Sequence, residues 1–177
     1  MKRIYLLRHA KSSWDDVALD DFQRPLNARG RKAAKRMARH FTEHSIRPNM
    51  VLCSAALRTR STYELLEPVL QGVPVSFEDG IYEASRSDLL HRLQRLDGHL
   101  NSVLLIGHNP GLEKLALALC GGHGDHAGLE RLEAKYPTGA LTILDSSVPH
   151  WPELDANKCT LVDFIRPKDL DPTDDDD

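Results

Sequence analysis

Arg8, His9, Arg58 and His108 are the side chains of this sequence best suited to chemistry. A neutral imidazole is nucleophilic enough to attack phosphorus and form a covalent phosphohistidine. A guanidinium offers phosphate oxygens a planar fork and stays charged at any working pH. A protonated His108 would add further positive charge. Together the four could neutralise the charge spread over a transferring phosphoryl group without a metal ion. Each residue alone is as readily a hydrogen-bonded structural group, so their placement carries the weight. Arg8-His9 follows an apolar run at residues 4–7, Arg58 comes one helical turn after the run at 50–53, and His108 follows the run at 102–106.

Those runs read as buried strands, as do residues 73–77, 140–144 and 160–165. Asn27 suits the N-cap of a helix to about His44, with Ala34, Met37, Ala38 and Phe41 on one face. Ser54 reads as the cap of a second helix reaching Leu70, broken by Gly72 and Pro74. Leu89, Leu93 and Leu96 mark a third. Asn109 and Pro110 read as the cap and first position of a fourth, in which Leu112, Leu115, Ala116 and Leu119 repeat at helical spacing and Gly121 stops the chain. Alternating strands and helices predict an α/β three-layer sandwich, a mostly parallel sheet with helices on both faces. Ligands bind beyond the carboxyl ends of such strands. The two histidines and two arginines would gather there.

Composition fits one soluble domain over residues 1–167, followed by an acidic C-terminal tail at 168–177. Of 177 residues, 41% are hydrophobic and 28% charged, and no apolar run approaches a membrane span. Met1-Lys2-Arg3 opens like a signal peptide, but the apolar stretch before Arg8 is too short for one. Cys53, Cys120 and Cys159 stand far apart, with no disulfide framework or zinc pattern, which suits a reducing compartment and a cytoplasmic location. Two tryptophans are too few to suggest base stacking, so no nucleic-acid partner is expected. The net charge of −3 hides an asymmetry: residues 169–177 hold six Asp, whereas residues 24–60 hold ten Lys or Arg and one acid, Glu43. The basic stretch would attract phosphate or an acidic partner, and the tail reads as a disordered, solvating end.

Arg8-His9 after an N-terminal strand, Ser54 with Arg58-Thr59, and Gly107-His108 late in the chain resemble the histidine phosphatase superfamily, also called the phosphoglycerate mutase-like fold. The short chain, the stretch Arg24-Pro25-Leu26-Asn27-Ala28-Arg29-Gly30 and the Asn-Pro-Gly after His108 look like its SixA-type phosphohistidine phosphatases. The resemblance covers about residues 3–165. It implies His9 as the phosphoryl-accepting nucleophile, Arg8, Arg58 and His108 as the phosphate pocket, a mixed sheet, and no cofactor. Three positions depart from the superfamily pattern: Ala10 where Gly is usual, Lys11 where Glu or Gln is common, and Asp15 near a common Asn. Lys11, Ser12 and Arg24 are expected to reach the phosphate or its carrier. Glu83 lies where larger relatives hold their general acid. An ester needs such an acid because an alkoxide leaves poorly, whereas a protonated imidazole leaves readily.

The expected function is therefore a metal-independent phosphohistidine phosphatase acting on a phosphorylated protein such as a phosphotransfer domain, through phospho-His9. The alternative is a small-molecule phosphomonoesterase using Glu83 as acid on a sugar-phosphate-like ester. A third reading is a phosphoprotein-binding module without turnover. Other signals carry less. Cys53 and Arg58 are one residue too close for the cysteine phosphatase loop, which needs five residues between them. Asp169-Leu170-Asp171-Pro172-Thr173 matches an aspartate-nucleophile motif but has only four residues after it. His123-Gly124-Asp125-His126 is a thin set for a metal, on what reads as a mobile loop. No P-loop pattern occurs.

Overall fold

The computed structural model describes residues 1–171. Six strands form one sheet: β1 (Lys2–Arg8), β2 (Met50–Ser54), β3 (Val75–Glu78), β4 (Ser102–Gly107), β5 (Leu141–Ser146) and β6 (Cys159–Ile165), in the order β3-β2-β4-β1-β5-β6. β3, β2, β4 and β1 are mutually parallel, while β5 pairs antiparallel with both β1 and β6, so that β5 alone is reversed. This is the mostly parallel mixed sheet expected.

The central strands are apolar on both faces because both faces are covered. Ile4 and Leu6 of β1 point into one core with Val103 and Leu105 of β4, while Tyr5 and Leu7 point into a second with Leu104 and Ile106. Helices α3 (Arg86–Gln94), α4 (Gly111–Cys120) and α5 (His126–Ala134) cover the first face through Leu89, Leu93, Leu112, Leu115, Leu119, Leu129 and Leu132. Helices α1 (Ala28–Glu43) and α2 (Leu57–Leu66) cover the second through Met37, Phe41, Tyr63 and Leu66. Period-two alternation along each central strand thus feeds two separate cores.

Several boundaries behave as the residue types dictate. Asn27 caps α1, its side chain accepting the Gly30 N–H, and Gly121 ends α4 in the left-handed conformation. Others differ. Ser54 is not a cap: β2 runs through it, α2 begins at Leu57 after Ala56, and the helix ends at Leu66 in a 3-10 turn at Glu67–Val69. Asn109 does not cap α4 either; Pro110 holds that position, and the Asn109 amide donates to the Tyr136 carbonyl. Of the stretch read as a loop at His123–His126, residues 123–125 are non-helical, but His126 opens α5, because the Asp125 carboxylate accepts the Gly128 N–H and starts the helix.

The region read as tail begins with structure. The Asp169 carboxylate accepts from the Arg166 backbone N–H at 2.8 Å and from the Arg166 guanidinium at the start of α6 (Pro167–Leu170), and Asp171 lies 3.5 Å from Arg36 of α1. The expected solvating Asp run, and Thr173 of the set-aside motif, lie outside the described residues. Among the described residues no helix is long and apolar enough to cross a membrane.

Candidate active site

The carboxyl ends of β1, β2 and β4 deliver Arg8-His9, Ser54 and His108 to one place. β1 and β4 are in register from Arg3 and Ser102 to Arg8 and Gly107, so His9 and His108 leave the sheet side by side. The His9 N–H donates to the Gly107 carbonyl, and the two ring centroids are 5.3 Å apart. A cavity of about 370 Å³ opens there, lined by Arg8, His9, Lys11, Ser12, Trp14, Arg24, Arg58, His108, Asn109, Lys135, Pro137 and Thr138. Seven of the eight singled-out residues therefore share one cavity. Glu83 does not line it.

The His9 ring is buried, and its Nδ1 lies 2.7 Å from its neighbour Ala10's carbonyl oxygen. A carbonyl only accepts, so Nδ1 carries the proton and Nε2 keeps its lone pair. Burial holds the imidazole well below its ordinary pKa, and the nearby His108, Arg8 and Arg58 push the same way. His9 is thus a neutral imidazole with a fixed tautomer, the state a nucleophile requires.

His108 differs from expectation. Its pKa falls to about 3, chiefly through burial and then through Arg58, with Asp21 opposing, so in the free protein it is neutral rather than an imidazolium. Its Nε2 is 2.7 Å from Ser54 Oγ.

Asp21, which the sequence did not single out, organises the cations. One carboxylate oxygen accepts from Arg58 at 3.0 Å and from the Tyr82 hydroxyl at 2.6 Å; the other accepts from Arg24 Nε at 3.0 Å. The Asp21 backbone carbonyl accepts from Arg58 as well, at 2.7 Å. These donors, the Tyr82 hydroxyl foremost, hold the Asp21 carboxyl down at about 2, despite partial burial. Arg24 also donates to Ser12 Oγ at 2.6 Å and lies 3.5 Å above the Trp14 ring. Arg8 donates to the Tyr136 carbonyl at 2.9 Å. Both arginines of the original set are therefore oriented before any substrate arrives.

The motif at residues 24–30 now has a physical account. Arg24 enters the cavity, Leu26 packs with Ala10 and Ala34, Asn27 caps α1, and a β-carbon at Gly30 would overlap the Lys11 carbonyl oxygen. The first turn of α1 thus presses directly on the loop that follows His9. Ala10, one of the departures from the usual pattern, is fully buried, and its methyl group fills this contact. A similar close approach fixes the other side, where a β-carbon at Gly111 would overlap the Ala84 carbonyl oxygen.

Four of the five buried side-chain nitrogen or oxygen atoms without a hydrogen-bond partner, among the described residues, belong to Arg8, Arg58, His108 and Asn109 of the cavity wall. Buried polar atoms are normally satisfied. Their clustering marks a surface built to meet a polar ligand.

Glu83 is exposed and has a positive φ of 56°. It lines a neighbouring cavity of about 550 Å³, which shares Arg58, His108 and Asn109 with the first and adds Arg86 and Lys114. Two of the set-aside signals have structural surroundings of their own. Cys53 is buried and its thiol is pushed up by burial, so it is no thiolate nucleophile. His123 Nδ1 pairs with the Cys120 carbonyl and His126 with Glu130, and no group of metal-ligating side chains occurs among the described residues.

Residues 4–99 match the family model of the histidine phosphatase superfamily (branch 1). This chain belongs to the histidine phosphatase superfamily. A protein from Agrobacterium tumefaciens, provisionally named phosphohistidine phosphatase SixA, superposes with a TM-score of 0.80 at 30% identity, covering 94% of this chain and 98% of that one. The protein histidine phosphatase SixA complexed with tungstate superposes at 0.76 and 21% identity, over 95% and 99%. The mycobacterial glucosyl-3-phosphoglycerate phosphatase Rv2419c superposes at 0.61 and 15%, over 91% and 97%. This histidine phosphatase superfamily member is accordingly a phosphatase, a hydrolase of phosphate-bearing substrates, with the phosphoglycerate mutase-like fold and a SixA-type likeness.

Proposed function

We propose that this phosphatase removes phosphate from phosphohistidine on a protein, through a covalent phospho-His9 intermediate and without a metal ion. One observation carries the reading: the cavity that holds neutral His9 is walled by Arg8, Arg24, Arg58, Lys11 and Lys135 and has no carboxylate in its lining. In the first step His9 Nε2 attacks phosphorus in line and the substrate's P–N bond breaks; its electron pair goes to the leaving nitrogen, and the substrate ring, already protonated by water on its other nitrogen, departs as neutral imidazole. In the second, water attacks phospho-His9, releasing phosphate and the neutral ring. The guanidinium and ammonium groups carry the transition-state charge that a metal would otherwise carry. A protonated imidazole leaves easily, so a cavity without an acid suffices. Exposed Trp14 at the cavity mouth, with exposed Val17 and Leu19 on the same loop, gives a protein carrier apolar surface to meet.

A second reading rests on the neighbouring cavity. There Glu83 could protonate the leaving oxygen of a small phosphate ester whose body lies against Arg86 and Lys114. Phosphate release in EDTA separates the two, with a phosphohistidine-bearing phosphotransfer domain and p-nitrophenyl phosphate assayed side by side. Fast release from the protein, unchanged in Glu83→Gln, supports the phosphohistidine reading. Faster release from the ester, lost in Glu83→Gln, replaces it with the second. Binding without release in either assay would return the module without turnover.

A further inference from the structure

Ser54 and His108 form a buried pair to which the two steps above assign no task. Ser54 sits at the end of β2 with no exposed surface, its Oγ 2.7 Å from His108 Nε2. The same oxygen accepts the Ala56 N–H at 3.3 Å. The other nitrogen of the ring, Nδ1, is buried and has no partner, and His108 lines the cavity that holds His9.

Counting protons separates two arrangements. If Nε2 carried the ring proton, it would donate to Oγ. That oxygen would then accept twice, and the serine's own proton would be left without a described acceptor in a fully buried site. An unspent buried donor is costly. If the hydroxyl donates to Nε2 instead, the Ala56 N–H and the serine O–H are both used, and the ring proton sits on Nδ1. We propose that Ser54 is a positioning residue that fixes His108 as the neutral Nδ1–H tautomer, so that His108 donates one hydrogen bond to a phosphoryl oxygen in the His9 cavity.

The surroundings favour a neutral donor there. Arg58, Arg8 and Arg24 act against a positive ring, Asp21 acts for it, and the rings of His9 and Tyr82 lie 5.3 and 5.5 Å away. A further cation would repel the arginines that hold the phosphate. A neutral N–H adds a hydrogen bond without that repulsion. The tautomer is a property of the free protein, whereas the bond to a phosphoryl oxygen rests on the His9 reading, so the test reads the two separately.

The test uses the full chain labelled with 15N-histidine, with His108 assigned by its loss in His108→Asn. Long-range 1H–15N spectra without substrate should show the proton on Nδ1 in the wild type from pH 5 to 8, and a shift towards Nε2–H in Ser54→Ala. Activity in Ser54→Ala should fall about ten-fold, the loss expected of one hydrogen bond. Ser54→Thr keeps the hydroxyl and should restore both signals. An Nε2–H ring in the wild type, or a ring in Ser54→Ala indistinguishable from it, overturns the proposal even if His9 proves to be the nucleophile. Unchanged activity in Ser54→Ala with a shifted tautomer overturns the catalytic half. Were His9→Ala to stay active, the His9 reading would fail while the tautomer result stood on its own.

Discussion

Asp21→Asn tests whether preset arginines carry the phosphate site. The carboxylate has three side-chain partners: Tyr82 and Arg58 on one oxygen, Arg24 on the other. Asparagine keeps one oxygen and replaces the other with an NH2 group, itself a donor. If the remaining oxygen serves Tyr82 and Arg58, the NH2 group opposes Arg24 Nε–H. If it serves Arg24, the NH2 group opposes the other two donors. The smallest loss is one charge-assisted hydrogen bond, about 1.5–3 kcal/mol where water is excluded. The Asp21 side chain is 43% exposed, so solvent reduces this; about 1–2 kcal/mol remains. The bond between Arg58 and the Asp21 backbone carbonyl survives the change and limits the damage. That energy corresponds to roughly a 5- to 30-fold fall in kcat/KM. Steady-state release from the phosphotransfer domain and the inhibition constant of inorganic phosphate should both worsen. An Asn variant within two-fold of wild type on both measures would refute the view that Asp21 presets Arg24 and Arg58.

Three further predictions rest on other parts of the molecule. His9 is held well below, and His108 at about 3 against, an ordinary value of 6.5. The folded protein therefore binds fewer protons than the unfolded chain, and the stability these rings contribute is present above about pH 6.5 and lost as pH falls towards 3. Thermal melts should show Tm dropping from pH 7 to 5, with a shallower drop in His108→Asn; a flat profile would contradict the buried neutral pair. Gly111→Ala forces a β-carbon into the Ala84 carbonyl, which should cost about 2 kcal/mol, or roughly 4–8 °C in Tm. An unchanged melt would show that α4 can move away at no cost. Trp14→Ala should cut kcat/KM for the phosphoprotein by about five-fold or more while sparing phosphoramidate, since Arg24 keeps its bonds to Ser12 and Asp21. Equal losses on both substrates would mean that Trp14 only supports Arg24.

Much of this was legible because the signals are local. The parallel strands are buried on both faces and so read as unbroken apolar runs, as at residues 102–106. Asn27 and Gly121 act within one turn of their own position, so their caps could be placed from residue type. His9 and His108 could be brought together because ligands gather at the carboxyl ends of parallel strands. What escaped depends on contacts distant in sequence. Asp21 meets Tyr82 and Arg58, 61 and 37 residues away; its only local signal was an acid three residues before Arg24. Ser54 looked like a helix cap because serine favours that role, but His108 claims its hydroxyl across 54 residues. All of α5 was missed because glycines at 121, 122 and 124 suggested a loop, and only Leu129 and Leu132 mark its apolar side. Glu83 fell near the site but into the adjoining cavity, a distinction that spacing along the chain cannot make.

The most direct measurement is to trap the intermediate. A phosphotransfer domain carrying 32P-phosphohistidine would be mixed with the enzyme in EDTA and quenched in alkali within the first turnover. The account predicts an acid-labile, alkali-stable label on the enzyme, mapping to the peptide that contains His9 and absent from His9→Ala, which should also lose phosphate release. Label on another residue, or release at the wild-type rate from His9→Ala, would contradict the central claim that His9 is the nucleophile.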